Sequence, residues 1–185
     1  MEMIRDGKAK GIRLSGEVCP HHFVLTEDDI PGDDAMYKMN PPLRSKADRK
    51  ALREGIADGT VEVISTDHAP HSMEEKQMSM KEAPFGIVGL ETSFALSYTH
   101  LVEEGLIDLP TLIEKMSYNP AKILGIDKGN IDVGNVADIA IFDIDKEYSI
   151  NPDTFVSKGK NTPFAGMKVK GNVRYTIMGG EVTYI

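Results

Sequence analysis

The sequence predicts an α/β chain in two regions: strands alternating with helices over residues 1–128, then strands almost alone over 129–185. Three observations predict it. Val61-Glu62-Val63-Ile64 is a β-branched run that stops abruptly at Asp67-His68 and breaks at Ala69-Pro70, as a buried strand does when it ends at a site. Helical patterns lie on both sides of it, at 46–57 and 90–104, which suits a parallel sheet with crossover helices. From Gly129 onward the period changes to two: Ala137, Ile139 and Ile141 alternate with Ala140, Phe142 and Ile144, so that both faces are apolar as in a sandwich core.

The bulk composition allows a globular core and excludes some partners. The chain has 185 residues, 41% hydrophobic and 27% charged, which is ordinary for a folded domain. Its net charge of -8 argues against nucleic acid or an anionic membrane as partner. No run is long and apolar enough to span a bilayer, and residues 1–10 are charged without an apolar signal core. A single cysteine, Cys19, rules out an internal disulfide and suits a reducing cytoplasm.

In chain order, residues 1–10 read as a helix ended by Gly11. Residues 12–18 read as a strand, broken by Cys19-Pro20. His21-His22, beside Cys19 and Glu17, invites a zinc reading. Against it, zinc needs three or four converging ligands, and adjacent side chains on an extended backbone point to opposite sides. Residues 26–34 are an acidic surface loop. In Met39-Asn40-Pro41-Pro42-Leu43-Arg44 two prolines stiffen an extended backbone that presents Asn40, whose amide offers donors and an acceptor; an Asx turn before Pro41 is the plainer alternative. Ser45-Lys46-Ala47-Asp48 forms a capping box for a helix with Ala47, Ala51, Leu52 and Ile56 on one face, stopped by Asp58-Gly59.

Residues 72–82 are polar and read as a mobile loop over a site. In Pro84-Phe85-Gly86 the glycine lets backbone approach a ligand, or merely turns the chain into the next helix. Residues 90–104 form a helix with Phe94, Ala95, Leu101 and Val102 apolar and Gly105 as its stop. His100 on it is a packed or surface histidine. Pro110 opens another helix with Leu112, Ile113 and Met116 inward, and Asn119-Pro120 starts a short last one. Val173, Tyr175 and Ile177 make a late strand that Gly179-Gly180 turns into a hairpin over 182–185.

Four of these stretches together carry a resemblance. Ser65-Thr66-Asp67-His68-Ala69-Pro70-His71, Glu17-Val18-Cys19-Pro20-His21-His22, the Met39 to Arg44 segment, and Ala83-Pro84-Phe85-Gly86 with Gly89-Leu90-Glu91-Thr92 resemble dihydroorotases, of the cyclic amidohydrolase family, in the expected order. The similarity runs from about Arg5 to the C-terminus. It implies the C-terminal part of a (β/α)8 metal-dependent hydrolase barrel over 1–128 and part of a β-sandwich over 129–185. A complete barrel takes roughly 250 residues, so this chain is too short for one. The sequence contains no His-x-His, the motif that ends the family's first strand.

The resemblance implies reversible hydrolysis and cyclisation between dihydroorotate and N-carbamoyl-aspartate. It makes Asp67 both metal ligand and proton carrier, zinc the metal, and Asn40, His71, Phe85 and Gly86 the substrate contacts. A small-molecule substrate, a homo-oligomer and aspartate transcarbamoylase are the implied partners. An allantoinase, a dihydropyrimidinase and a non-catalytic dihydroorotase-like assembly subunit are the alternatives.

Overall fold

The structure is a computed structural model that describes residues 1–184. Helix α1 (Glu2–Ala9) opens the chain, and Gly11, at φ +73°, ends it. The strand expected over 12–18 is reduced to β1 (Glu17–Val18). Ile12 is 56% exposed, and the ladder toward the next strand begins at Gly16, whose carbonyl accepts from Glu62 and Val63 and whose N–H donates to the Glu62 carboxylate. Pro20 then opens the short helix α2 (Pro20–Val24). The backbone at His21 and His22 is therefore helical, which corrects the extended geometry expected there: the two rings lie 4.2 Å apart, tilted by 59°.

Helix α3 (Lys46–Ala57) starts where the sequence places it, because Ser45 and Asp48 exchange hydrogen bonds in a full capping box. Its inner face is narrower than expected: Ile56 is buried, Ala51 and Leu52 half-buried, and Ala47 exposed. Strand β2 (Val63–Ile64) follows and pairs parallel with β1, Glu17 opposite Val63 and Val18 opposite Ile64. Both strands thus end on the same side, at Cys19 and at Ser65.

The 72–82 segment is anchored rather than loose. It holds one helical turn, α4 (Met73–Lys76), with a Ser72–Glu75 capping box and a buried Lys76. Helix α5 (Ser93–Ser97) begins three residues later than expected and runs on as a π-helical segment, Tyr98–Glu103. Helix α6 (Leu109–Ile113), capped by Asp108, likewise continues as π-helix, Glu114–Tyr118, into α7 (Asn119–Leu124). Leu112 is buried as expected, but Ile113 is 41% exposed, because the buried Lys115 takes the inward place and donates to the Val61 carbonyl.

The sheet-rich region has two parts. Strands β3 (Ile139–Asp143), β6 (Asn172–Met178) and β7 (Glu181–Tyr184) form an antiparallel sheet in the order β3-β6-β7. Between them in sequence, β4 (Tyr148–Ser149) and β5 (Lys168–Val169) form a separate antiparallel pair. The β6–β7 hairpin turns at Gly179-Gly180 as the sequence suggests; its expected last residue, Ile185, lies outside the described residues. Phe142 of β3 stacks on Phe94 of α5 with ring centroids 3.6 Å apart, but Ile141 on the opposite face is 44% exposed.

One core joins the two regions. Phe23, Met39, Ile56, Val61, Leu96 and Leu101 share it with Ile150, Phe164 and Val169. No helix among the described residues is long and apolar enough to cross a membrane.

Candidate active site

The site grows from the end of β2. Asp67 is the one non-glycine residue with positive φ (+47°) among the described residues. A left-handed backbone costs a side-chain-bearing residue free energy and persists where surroundings enforce it, which makes it a pointer to function. Its carboxylate is exposed and has no hydrogen-bond or ion-pair partner among the described residues, so both oxygens are available to a ligand.

What enforces the turn is pairing just beyond it. His68 bridges Ile87 in parallel, and the Ala69 N–H donates to the Ile87 carbonyl at 2.9 Å. His68 Nδ1 accepts from the N–H groups of Gly89 (3.1 Å) and Leu90 (3.4 Å). That fixes its tautomer, with the proton on Nε2. Gly89 has no room for a side chain, since a Cβ there would collide with the Thr66 carbonyl. The two motif stretches 65–71 and 83–92 are thereby laid side by side.

Three of the five predicted residues are bonded together. His71 Nε2 lies 2.9 Å from the Phe85 carbonyl. A carbonyl only accepts, so Nε2 donates to it, while Nδ1 lies 3.6 Å from a Glu75 carboxylate oxygen. Gly86 sits at φ +122°, where a Cβ would collide with Ala69, so only glycine fits. The Gly86 N–H and carbonyl are not free, however: the first donates to the Lys38 carbonyl and the second accepts from Lys76 and Asn161. The free group of this turn is the Phe85 N–H, which has no partner among the described residues. The Phe85 ring is 56% exposed under the Lys38 ammonium, 4.4 Å from its centroid.

Asn40 lies two residues beyond Lys38, so the Lys38–Gly86 hydrogen bond brings its segment to the same place. It is exposed and its amide makes no hydrogen bond among the described residues. The Asx turn is therefore absent, and the amide is available.

Two residues that organise this site carry no sequence signal. The Lys76 ammonium, 2% exposed, reaches the carbonyls of Gly86 (2.9 Å), Pro84 (3.1 Å) and Lys38 (3.4 Å). Burial, with Lys38 nearby, lowers its pKa from 10.5 to about 8. Asn161, wholly buried, accepts from the His71 N–H at 3.0 Å and donates to the carbonyls of Ala69 and Gly86, both at 3.1 Å. Lys76 sits in a Lys- and Glu-rich stretch that looks solvated, and Asn161 is 90 residues from His71. A cavity of about 830 Å³, lined by His68, Glu91, Tyr148, Phe155 and Tyr184 among others, takes in none of the five predicted residues.

An exposed, unpartnered carboxylate on a strained turn can hold a divalent cation and accept a proton, and a free amide, an imidazole and a backbone N–H can orient a polar ring.

Comparisons with known proteins bear on the family. The amidohydrolase family profile matches residues 9–183. The chain is 54% identical over 184 residues to a dihydroorotase of Geobacillus sp. (strain WCH70), and 52% identical over 184 residues to one of Bacillus cereus (strain AH820). Each alignment takes in 100% of this chain and 43% of the relative, so the chain spans less than half the length of the curated relatives it matches. Among solved structures it superposes on a dihydropyrimidinase from Brevibacillus agri NCHU1002 with a TM-score of 0.92 and 28% identity. It superposes on an L-hydantoinase (dihydropyrimidinase) from Arthrobacter aurescens with a TM-score of 0.89 and 33% identity. Both superpositions cover 99% of this chain and 42% of the other.

Proposed function

The chain belongs to the amidohydrolase family, and we propose that it is the C-terminal portion of a dihydroorotase: residues 1–128 the last strands and helices of the barrel, residues 129–185 part of the β-sandwich. The observation that carries the substrate reading is the contrast in identity. Dihydroorotases match at 52–54% along the whole chain, whereas the hydantoinase and dihydropyrimidinase structures that share the fold match at 27–33%.

In this reading Asp67 is metal ligand and proton carrier. Its free carboxylate and strained backbone fit a divalent cation, zinc by the resemblance, whose other ligands come from strands that precede this chain. Bound there, the metal supplies positive charge that polarises the ring carbonyl and acidifies the attacking water. Asp67 takes the proton as water adds to the carbonyl carbon and delivers it to the ring nitrogen as the C–N bond breaks. The new carboxylate is that of N-carbamoyl-aspartate. Asn40 and the Phe85 N–H orient the ring, His71 holds the substrate beside them, and Gly86 holds the turn through which Phe85 reaches the substrate. The parent protein, in this proposal, is cytoplasmic and homo-oligomeric, with aspartate transcarbamoylase as candidate partner.

The test is a chimera joining the upstream portion of the Geobacillus relative to this chain at the matching residue. Asp67→Ala in it is expected to lower kcat/KM for dihydroorotate by about 10³-fold or more, since one residue serves two roles. Turnover within tenfold of the unmutated chimera, with zinc present, rejects the role.

A further inference from the structure

A second constellation lies where β1 ends. The thiol of Cys19 and one nitrogen each of His21 and His22 all lie within 4.8 Å of one another. From the convergence of these three donors we propose that Cys19, His21 and His22 form a binding site for a thiophilic divalent cation of the zinc type. None of the three is used in the dihydroorotase reading, so the proposal stands on its own geometry.

The sequence builds this cluster locally. Pro20 opens α2 immediately after Cys19, and the His22 N–H donates to the Cys19 carbonyl at 3.0 Å. The chain therefore turns back on itself, and residues 19 and 22 come one helical turn apart. Each side chain is prepared for a ligand. His22 Nε2 lies 2.9 Å from the Pro41 carbonyl, which only accepts. The proton is thus on Nε2 and the lone pair on Nδ1, the arrangement in which a metal-ligating histidine gives its other N–H to a backbone oxygen.

His21 is 2% exposed, and its buried Nε2 has no hydrogen-bond partner. A buried polar atom left unpaired is costly, and a cation in contact with this ring would give its lone pair a use.

Cys19 completes the set with a soft donor. Its Sγ is 3.3 Å from the Ser65 hydroxyl, which can donate to a thiolate. Burial, and to a lesser extent the carboxylates of Asp67 and Glu17, push the thiol's pKa up, so a bound cation has to displace its proton. Tetrahedral zinc places S and N ligands roughly 3.3–3.8 Å apart, so closing the cluster takes a movement of about 1 Å. Three protein ligands leave a fourth position open. Because His22 also holds Pro41, an ion bound here would stiffen the segment that carries Asn40.

The experiment uses the reduced, metal-free 185-residue chain titrated with Co²⁺. A thiolate-to-cobalt charge-transfer band in the near ultraviolet is expected at one ion per chain. Cys19→Ser should abolish the band and weaken binding by about 100-fold or more, with an unchanged far-ultraviolet circular dichroism spectrum. Asp67→Asn should keep the band. X-ray absorption of the zinc-loaded wild type, which needs no variant, should report one sulfur and two imidazoles around the ion. Absence of the band at saturating Co²⁺, an oxygen- and nitrogen-only shell around zinc, or equal affinity in Cys19→Ser would overturn the proposal.

Discussion

Asn161 ties three groups of the site with one side chain, and nothing in its own neighbourhood of the sequence announces it. Replacing it by alanine leaves the Ala69 carbonyl and the His71 N–H without their partner and the Gly86 carbonyl with Lys76 alone. Asn161→Ala is expected to cost roughly 2–4 kcal/mol in urea denaturation, and a change under about 0.5 kcal/mol would contradict its anchoring role. Lys76 gives a pH signature. Burial lowers its folded pKa to about 8 while the unfolded chain keeps 10.5, so between these values the unfolded state binds more protons. Stability contributed by this group therefore rises with pH across that window, and below about pH 8 the penalty of the buried charge is constant. Relative to Lys76→Met, the wild type should gain stability from pH 8 to 10.5 in parallel urea titrations; a flat difference would contradict the shifted pKa. Asp67 stands out in the sequence at the end of an apolar run, before Ala-Pro, and the resemblance gives it a role; the structure adds its positive φ. Asn161 and Lys76 were not legible in the sequence, because their partners are backbone carbonyls supplied by distant segments.

At the scale of elements, local chemistry set the starts and stops and tertiary contact set the lengths. The Ser45–Asp48 capping box placed the start of α3 correctly, and Ser45→Ala should lower thermal stability by about 1 kcal/mol. The β1 strand fell short because a strand-like sequence shows what a segment permits, whereas a ladder also needs a neighbour. The π-helical continuations of α5 and α6 have no counterpart in sequence periodicity; the buried Lys115, inserted where an apolar residue was expected, shows how a long polar side chain can take a core position if a carbonyl receives it. His21 and His22 teach the same lesson in reverse. Read as extended they diverge, and a single proline at the head of a five-residue helix brings them together.

For the whole molecule, the decisive quantity is the 43% of a dihydroorotase that this chain spans. The resemblance named Asp67 as the only metal ligand among its site residues, and one carboxylate cannot fix a metal ion to the tolerance catalysis needs. The isolated chain is therefore expected to show no turnover of dihydroorotate even when saturated with zinc. Among the described residues its sheet also ends in an unpaired edge at β7, with Val182 53% and Tyr184 44% exposed. Such an edge recruits a further strand, so light scattering at high concentration should show dimers or larger species, and a clean monomer would count against it. The central claim, that these residues serve dihydroorotate rather than the rings suggested by the shared fold, is tested most directly by the substrate preference of the chimera with the Geobacillus upstream portion. The account predicts zinc-dependent hydrolysis of dihydroorotate with a kcat/KM at least about 100-fold above that for hydantoin or dihydrouracil, a discrimination of about 3 kcal/mol. A zinc-loaded chimera that prefers hydantoin or dihydrouracil would contradict it.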